Sequence, residues 1–198
     1  MFAWASFRAL LPFPDALGGA TFFAGSIFFT AAAGLQLHQA AGSGPPVPEG
    51  SARPLKCGLF GWNPRDIGWL ACFTQFAGTL LFNLNTLEAK SAGLDPARQD
   101  LLVWCPDFAG SALFLISGQH AFSETCHAWW RWNPDSFSWR ITAINPAGCV
   151  AFMVSAFLSL VPLDGGSTHV TGSLVFTGIG AVCFLAGSLL LYPESADV

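Results

Sequence analysis

Long apolar stretches alternate along the chain with short polar ones. A helix needs about 20 consecutive apolar residues to cross a hydrocarbon core. Five stretches reach that length, namely Ala16–Ala41, Ile67–Leu87, Phe108–Trp130, Ile141–Pro162 and Val170–Tyr192. Five spans do not close a barrel, and lipid offers the backbone no hydrogen-bond partner. The pattern therefore predicts an all-α integral membrane bundle of five transmembrane helices.

Composition supports this prediction. Of the 198 residues, 53% are hydrophobic and only 10% are charged, whereas a soluble domain has about 25% charged residues. The net charge of −4 and the lack of Lys/Arg runs argue against nucleic acid as a partner. We predict an interfacial or flexible segment at residues 1–15 and a single transmembrane domain at 16–198.

The ends of the segments carry residue types that suit a membrane boundary. Asp15, Asp66 and Asp107 stand at the starts of the first three segments, where a carboxylate can accept from free N–H groups. Tryptophans such as Trp62, Trp69 and Trp104 fall near predicted boundaries, as in an aromatic belt. Three of the six cysteines lie inside apolar runs and are interpreted as small packing residues, while a pairing among the other three stays open.

Orientation follows from the basic residues in the loops. The loops at 42–66 and 131–140 together carry five Lys and Arg residues, and the opposite side carries three, namely Arg8, Lys90 and Arg98. The more basic side faces the cytoplasm in most membrane proteins. We therefore predict a protein of the cell membrane with its N-terminus outside and its C-terminus in the cytoplasm.

An internal repeat organises the chain. The motif Trp62-Asn63-Pro64 recurs 70 residues later as Trp132-Asn133-Pro134. The same offset relates two pairs of glycines, and the first segment carries a related glycine. We predict a parallel two-helix repeat with units at about 59–122 and 129–192, packed through these glycines. The predicted packing glycines are Gly25, Gly78, Gly110, Gly148 and Gly180.

Polar residues inside the spans are candidates for function, because burying them in hydrocarbon is costly. On a helix that turns by about 100° per residue, Gln36, Gln75 and Asn145 fall within about 60° of the packing glycine of their own segment. On the third segment, His120, Glu124 and His127 share an arc of about 60°. Asn85 shares the glycine face, whereas His38 is predicted to point outward. We predict a polar pocket in the cytoplasmic half, formed by Gln36, Gln75, His120, Glu124, His127 and Asn145.

The spacing of His120, Glu124 and His127 permits two interpretations. Glu-x-x-His occurs in di-iron helical bundles, so these three residues are candidates for a metal site. The alternative is a hydrogen-bonded network that also contains Gln75 and Asn145. No catalytic motif is present, so no enzyme is predicted. No cofactor is implied, although bound lipid is expected.

Several motifs resemble the small actinobacterial-type membrane proteins with YrhK-like domains. They are Leu59-Phe60-Gly61-Trp62, the run from Gln75 to Thr86, Trp104-Cys105-Pro106-Asp107 with Gly110-Ser111, Glu124-Thr125-Cys126-His127, and Leu190-Leu191-Tyr192-Pro193-Glu194. The resemblance covers roughly residues 59 to 194. It implies a multi-pass membrane protein and supplies no activity or catalytic residues.

Three functional hypotheses follow. The favoured one is a membrane protein without catalytic machinery, either an accessory or structural subunit or a bundle that binds lipid or a small ligand. The second is a small channel or transporter that uses the inward polar pocket. The third is a haem- or metal-binding redox protein. The expected partners are membrane lipids and either further copies of the chain or a larger membrane complex.

Overall fold

A computed structural model describes residues 15–42, 61–88, 95–160 and 167–196. These residues are almost entirely helical and contain no strand, which confirms the all-α prediction. The predicted interfacial segment lies almost wholly outside the described residues. The helices are α1 (Asp15–Gly42), α2 (Ile67–Glu88), α3 (Pro96–Gln99), a π-helical turn (Asp100–Trp104), α4 (Cys105–Cys126), α5 (Phe137–Leu160) and α6 (Ser167–Ala196).

Five helical stretches in this part of the chain are long and apolar enough to cross a membrane. They are Gly19–Gly42, Ile67–Glu88, Ala97–Cys126, Phe137–Leu160 and His169–Leu190. The prediction of five spans is confirmed, and the architecture is compatible with a multi-pass membrane protein.

Two predictions about segment ends were wrong. The third stretch begins at Ala97 rather than at Phe108, because the π-helical turn keeps the chain helical up to α4. Asp107 therefore lies inside a continuous helix and not at its start.

Asp66 does cap its helix, since its Oδ1 accepts a hydrogen bond of 2.8 Å from the N–H of Trp69. Trp69 itself is only 1% exposed, so it is a core residue rather than part of an aromatic belt.

Consecutive long helices run antiparallel. Ser26 and Gln36 of α1 are hydrogen-bonded to Thr86 and Gln75 of α2, in reverse order along the chain. The same reversal relates α2 to α4, α4 to α5, and α5 to α6. We call the end at which α1, α4 and α6 begin the upper end, and the end at which α2 and α5 begin the lower end.

A cluster of five phenylalanine rings forms the centre of the bundle, one ring from each long helix. Neighbouring ring centroids lie between 5.4 Å, for Phe29 and Phe184, and 6.5 Å, for Phe82 and Phe114. Phe114 is in the middle of the cluster and is 1% exposed. The members of this phenylalanine cluster are Phe29, Phe82, Phe114, Phe152 and Phe184.

Positions 70 residues apart make matching contacts. The rings of Trp62 and Trp69 meet edge to face at 5.4 Å, and those of Trp132 and Trp139 meet in the same way at 5.0 Å. Among the predicted packing glycines, Gly78 lies against Gly110 and Gly148 lies against Gly180, while Gly25 is buried in α1. These matched contacts support the two-helix repeat, which stays a prediction.

Candidate functional site

A cavity of about 200 Å³ lies in the upper half of the bundle, between all five long helices. Phe82 and Phe152 of the phenylalanine cluster line it, so it adjoins the apolar centre. Trp104 and Phe22 add two more aromatic rings. The remaining lining residues are Gly19, Asn85, Thr86, Asp107, Ser155, Ser159, Ser173 and Thr177.

Hydroxyl groups form the wall of the cavity between α5 and α6. The Ser155 hydroxyl lies 2.7 Å from the Thr177 hydroxyl and 3.0 Å from that of Ser173, and Ser159 lies 2.7 Å from Ser173. Several of these groups also donate to helix carbonyls, as Thr177 does to the carbonyl of Ser173 at 3.0 Å. A hydroxyl has one proton but two acceptor lone pairs. Because the protons are used within the wall, the capacity left for a ligand is mainly acceptor capacity.

Asp107 provides the carboxylate of the cavity. Its side chain is partly buried and lines the cavity together with the Asn85 amide. Within the described ranges, no Lys, Arg or His forms an ion pair with it, whereas Asp95 pairs with Arg98 at 3.5 Å. A carboxylate inside a membrane span is costly without a compensating charge or proton. Asp107 is therefore the residue on which the chemistry of this cavity depends.

A π-helical turn precedes Asp107 on the helix that places Trp104 and Asp107, three residues apart, at the same cavity. The N–H of Cys105 donates to the carbonyl of Asp100, which makes the turn wider than an α-helical one. Pro106 follows directly and has no N–H to continue an α-helical ladder. Such wide turns are frequent at functional sites. Here the turn ends at Trp104, three residues before Asp107.

The residues predicted as a polar pocket lie in the lower half, and part of them meet there. The Gln75 amide donates to the Gln36 amide oxygen at 3.4 Å, although Gln36 is exposed at the bundle surface. Ser117 of α4, which the sequence analysis did not single out, lies 3.3 Å from the Gln75 amide oxygen and donates to the carbonyl of Ala71 at 2.8 Å. This lower network joins α1, α2 and α4.

Asn145 and Glu124 lie at other helix contacts. The Asn145 amide oxygen lies 2.6 Å from the position that a Cβ on Gly187 would occupy, so Asn145 faces α6. The Glu124 carboxylate lies against Gly68 at the start of α2 and is largely exposed. The prediction of one shared network is not supported, since no hydrogen bond within the described residues joins Glu124 or Asn145 to Gln75.

The two histidines differ in environment. His120 has a buried Nδ1 for which the described residues provide no hydrogen-bond partner. His127 is exposed and ends α4 in the left-handed conformation, with φ of 50°. Across the part of the chain that the structure describes, no three His, Cys, Asp or Glu side chains are placed to hold a metal ion. His120, Glu124 and His127 thus do not form a metal centre here.

The cysteines add no cross-link to this picture. The five cysteines in the described ranges are all free, and Cys57 lies outside these ranges. Cys126 and Cys149 are buried, as small packing residues would be.

The cavity follows the register of the repeated glycines, which is the signal that the sequence analysis did not use. On α1, α4 and α6, the residue three positions before the packing glycine lines the cavity. These residues are Phe22, Asp107 and Thr177. On α2 and α5, the residue seven positions after the packing glycine lines the cavity. These residues are Asn85 and Ser155. Because Asp107 was interpreted as a helix cap, its place in this set was missed.

Comparisons with known proteins add no relative. No protein-family model, no curated protein and no solved structure matches this chain. The interpretation of the cavity therefore depends on its own geometry.

Proposed function

We propose that this chain is a multi-pass membrane protein without catalytic machinery that binds a small ligand in its upper cavity. The observation that carries the proposal is a cavity between all five long helices that combines one carboxylate, one amide, five hydroxyls and four aromatic rings. Ligand sites are typically concave and apolar, with a few polar groups that fix the ligand. The cavity has this character.

The volume of the cavity supports binding over simple packing. Protein interiors are close-packed, and most voids in them are smaller than a water molecule. A water molecule takes about 30 Å³ in the liquid, so a cavity of about 200 Å³ accommodates several water molecules or a small organic ligand. Hydrogen bonds between the hydroxyls join α5 to α6, but this packing role does not account for the unfilled space beside Asp107 and Asn85.

A cavity-filling variant tests the proposal. We expect Ser159→Phe to place a ring in the cavity, whereas Ser188→Phe adds the same ring at an exposed position of α6. Native mass spectrometry of the purified protein should show a small-molecule adduct on the wild type and on Ser188→Phe, and lose it on Ser159→Phe. An adduct that persists on Ser159→Phe, or that no form of the protein carries, would contradict binding in the cavity.

Transport is a second candidate, favoured by polar groups on both sides of the phenylalanine cluster. The cavity lies above the cluster, and the network of Gln36, Gln75 and Ser117 lies below it. Movement of the central rings would connect the two. Stopped-flow swelling of proteoliposomes in glycerol and in ammonium salts tests this, since transport predicts a flux that falls in Gln75→Ala. Equal swelling with and without protein would exclude permeation of these solutes.

Location and partners complete the proposal. The outer faces of the bundle are rich in exposed apolar residues, with Phe28 67% and Leu189 64% exposed, which supports contact with lipid. We further propose residence in the cell membrane with the N-terminus outside, membership of the YrhK-like group, and association with membrane lipids, with further copies of the chain or with a larger membrane complex. The loop charges support the orientation, and the motifs of the sequence support the family resemblance.

A further inference from the structure

We infer that the upper cavity takes a small organic ammonium ion, with the Asp107 carboxylate as its counter-charge. This inference rests on the proposed ligand-binding function and names the class of ligand. Three independent properties of the lining point to it, namely its charge, its hydrogen-bonding capacity and its aromatic rings.

The charge of the lining is negative. Asp107 is the one charged residue among the described lining residues, and none of the described residues supplies a cation that pairs with it. A monovalent cation would neutralise the carboxylate inside the span, where an uncompensated charge is costly. An anionic ligand would instead add a second negative charge to the same low-dielectric space. Charge therefore selects a cation over an anion.

The hydrogen-bonding capacity of the lining is suited to a donor. The hydroxyls of Ser155, Ser159 and Thr177 are hydrogen-bonded within the wall and retain lone pairs. The Asn85 amide oxygen is a further acceptor in the lining. An N–H donor placed between Asp107 and the hydroxyl wall would find acceptors on both sides.

The aromatic rings distinguish an organic cation from a metal ion. Phe22, Phe82, Trp104 and Phe152 come from four different elements and surround the same cavity. The face of an aromatic ring attracts ammonium groups, Trp most strongly, and such rings recognise alkylated ammonium ligands. A hard divalent metal ion is held by six or more oxygen ligands that commonly include several carboxylates, and the described lining supplies one carboxylate. The combination fits an ammonium head with a short carbon chain.

Calorimetry on the full chain tests the inference. The protein is placed in nanodiscs of phosphatidylglycerol, which carries no amine, and is titrated with 2-aminoethanol and with ethylene glycol, its neutral counterpart of similar size. We expect saturable binding of 2-aminoethanol and at least tenfold weaker binding of ethylene glycol. Equal affinity for both would overturn the ammonium assignment while leaving ligand binding in place.

Variants locate the binding. Asp107→Asn keeps the side-chain shape and removes the charge, and we expect it to weaken 2-aminoethanol binding by about 10- to 100-fold, as loss of a charge-assisted hydrogen bond does. Asp95→Asn removes an exposed carboxylate outside the cavity and should bind as the wild type does. Unchanged affinity in Asp107→Asn would overturn the proposal.

Two further variants keep the test decisive. Trp104→Leu removes one ring but no charge and should weaken 2-aminoethanol binding about threefold. This variant tests the location of binding if Asp107→Asn does not elute as a folded protein. Lys90→Gln tests whether the chain supplies its own cation. Binding of 2-aminoethanol that appears only in Lys90→Gln would mean that Lys90 neutralises Asp107, and would overturn the proposal.

The source of the ammonium is resolved in a second arm. Nanodiscs with phosphatidylethanolamine present the same headgroup on a lipid. Both discs are compared at high ionic strength, which screens the attraction of the anionic phosphatidylglycerol surface for a cation. If the lipid is the source, free 2-aminoethanol should then bind at least tenfold more weakly in the phosphatidylethanolamine discs, because the headgroup competes. Equal affinity in both discs would identify the free amine as the ligand. Absence of binding in every disc would overturn the ammonium assignment, and the adducts of the Ser159→Phe experiment decide separately whether the cavity binds any ligand.

Discussion

Gly78 of α2 and Gly110 of α4 approach each other reciprocally. A Cβ on Gly78 would lie 3.0 Å from the carbonyl oxygen of Gly110, and a Cβ on Gly110 would lie 3.1 Å from the carbonyl oxygen of Gly78. Gly148 and Gly180 repeat the relationship between α5 and α6, at 3.2 and 3.1 Å. Both pairs of helices thus approach until their backbones are in contact, as small residues permit in membrane bundles.

The first prediction concerns this close approach. In Gly78→Ala the new methyl group would lie 2.8 Å from a ring carbon of the buried Phe114. Because neither the ring nor the opposing backbone has space to move, we expect a loss of about 1–3 kcal/mol in the free energy of unfolding, typical of overpacking. Reversible unfolding in mixed detergent micelles measures it.

Gly34→Ala is the matched control for that substitution. Its methyl group would lie 3.4 Å from the ring of Phe76, an ordinary contact, and Gly34 is also within a long helix. Since alanine has the higher helix propensity, the control should be neutral or slightly stabilising. A similar loss in both variants would show that the distance between Gly78 and Gly110 is not what limits the size of the side chain.

The number and approximate position of the spans could be predicted because they depend only on length and hydrophobicity. The beginning of the third span could not, because Asp107 is of a residue type typical of a helix start, whereas the chain is already helical before it through the π-helical turn at Asp100–Trp104. Among the site residues, the contact of Gln36 with Gln75 follows from the angular position of each residue on its helix. The contact partner of Asn145 could not be predicted in this way, because an angular position on one helix does not identify the neighbouring helix that this face contacts. In the structure that neighbour is α6.

The second prediction concerns the phenylalanine cluster. Phe114 contacts four other rings, those of Phe29, Phe82, Phe152 and Phe184, at centroid distances from 5.7 to 6.5 Å. Phe114→Ala should therefore leave a void that its neighbours cannot fill, at a cost of about 3–5 kcal/mol. Thermal unfolding followed by circular dichroism should show a clearly lower midpoint.

Phe157→Ala provides the comparison on the same fold. Phe157 is on α5 and is 60% exposed, so its removal leaves no internal void. We expect a change of less than about 1 kcal/mol there, as at other surface positions. If the two variants lose the same stability, the central cluster does not hold the five helices together.

The third prediction concerns the helix starts after the two Trp-Asn-Pro motifs. The Asp66 carboxylate accepts from the N–H of Trp69 at 2.8 Å, and the Ser136 hydroxyl accepts from the N–H of Trp139 at 3.3 Å. A charged acceptor at a shorter distance makes the stronger cap and also benefits from the helix dipole. Asp66→Ala should cost about 1 kcal/mol or more, and Ser136→Ala should cost less.

Asp66→Asn separates the two contributions to this cap. The amide oxygen still accepts the hydrogen bond, so the variant should recover most of the stability lost in Asp66→Ala, while the interaction of the charge with the dipole is lost. Chemical unfolding of the three variants and the wild type gives the comparison. A Ser136→Ala loss that equals or exceeds that of Asp66→Ala would refute the ranking.

The fourth prediction tests the membrane orientation. Asp95 lies at the upper end of the bundle and Asp135 at the lower end, and both are exposed. Acidic residues contribute little to topology, so replacing either should leave the orientation intact. With the N-terminus outside, the upper end faces outward. In intact cells, a membrane-impermeant maleimide should therefore label Asp95→Cys, and should label Asp135→Cys only after permeabilisation. The wild-type chain gives the background from native cysteines. The reverse labelling pattern would invert the orientation and would place the Asp107 cavity in the cytoplasmic half of the membrane.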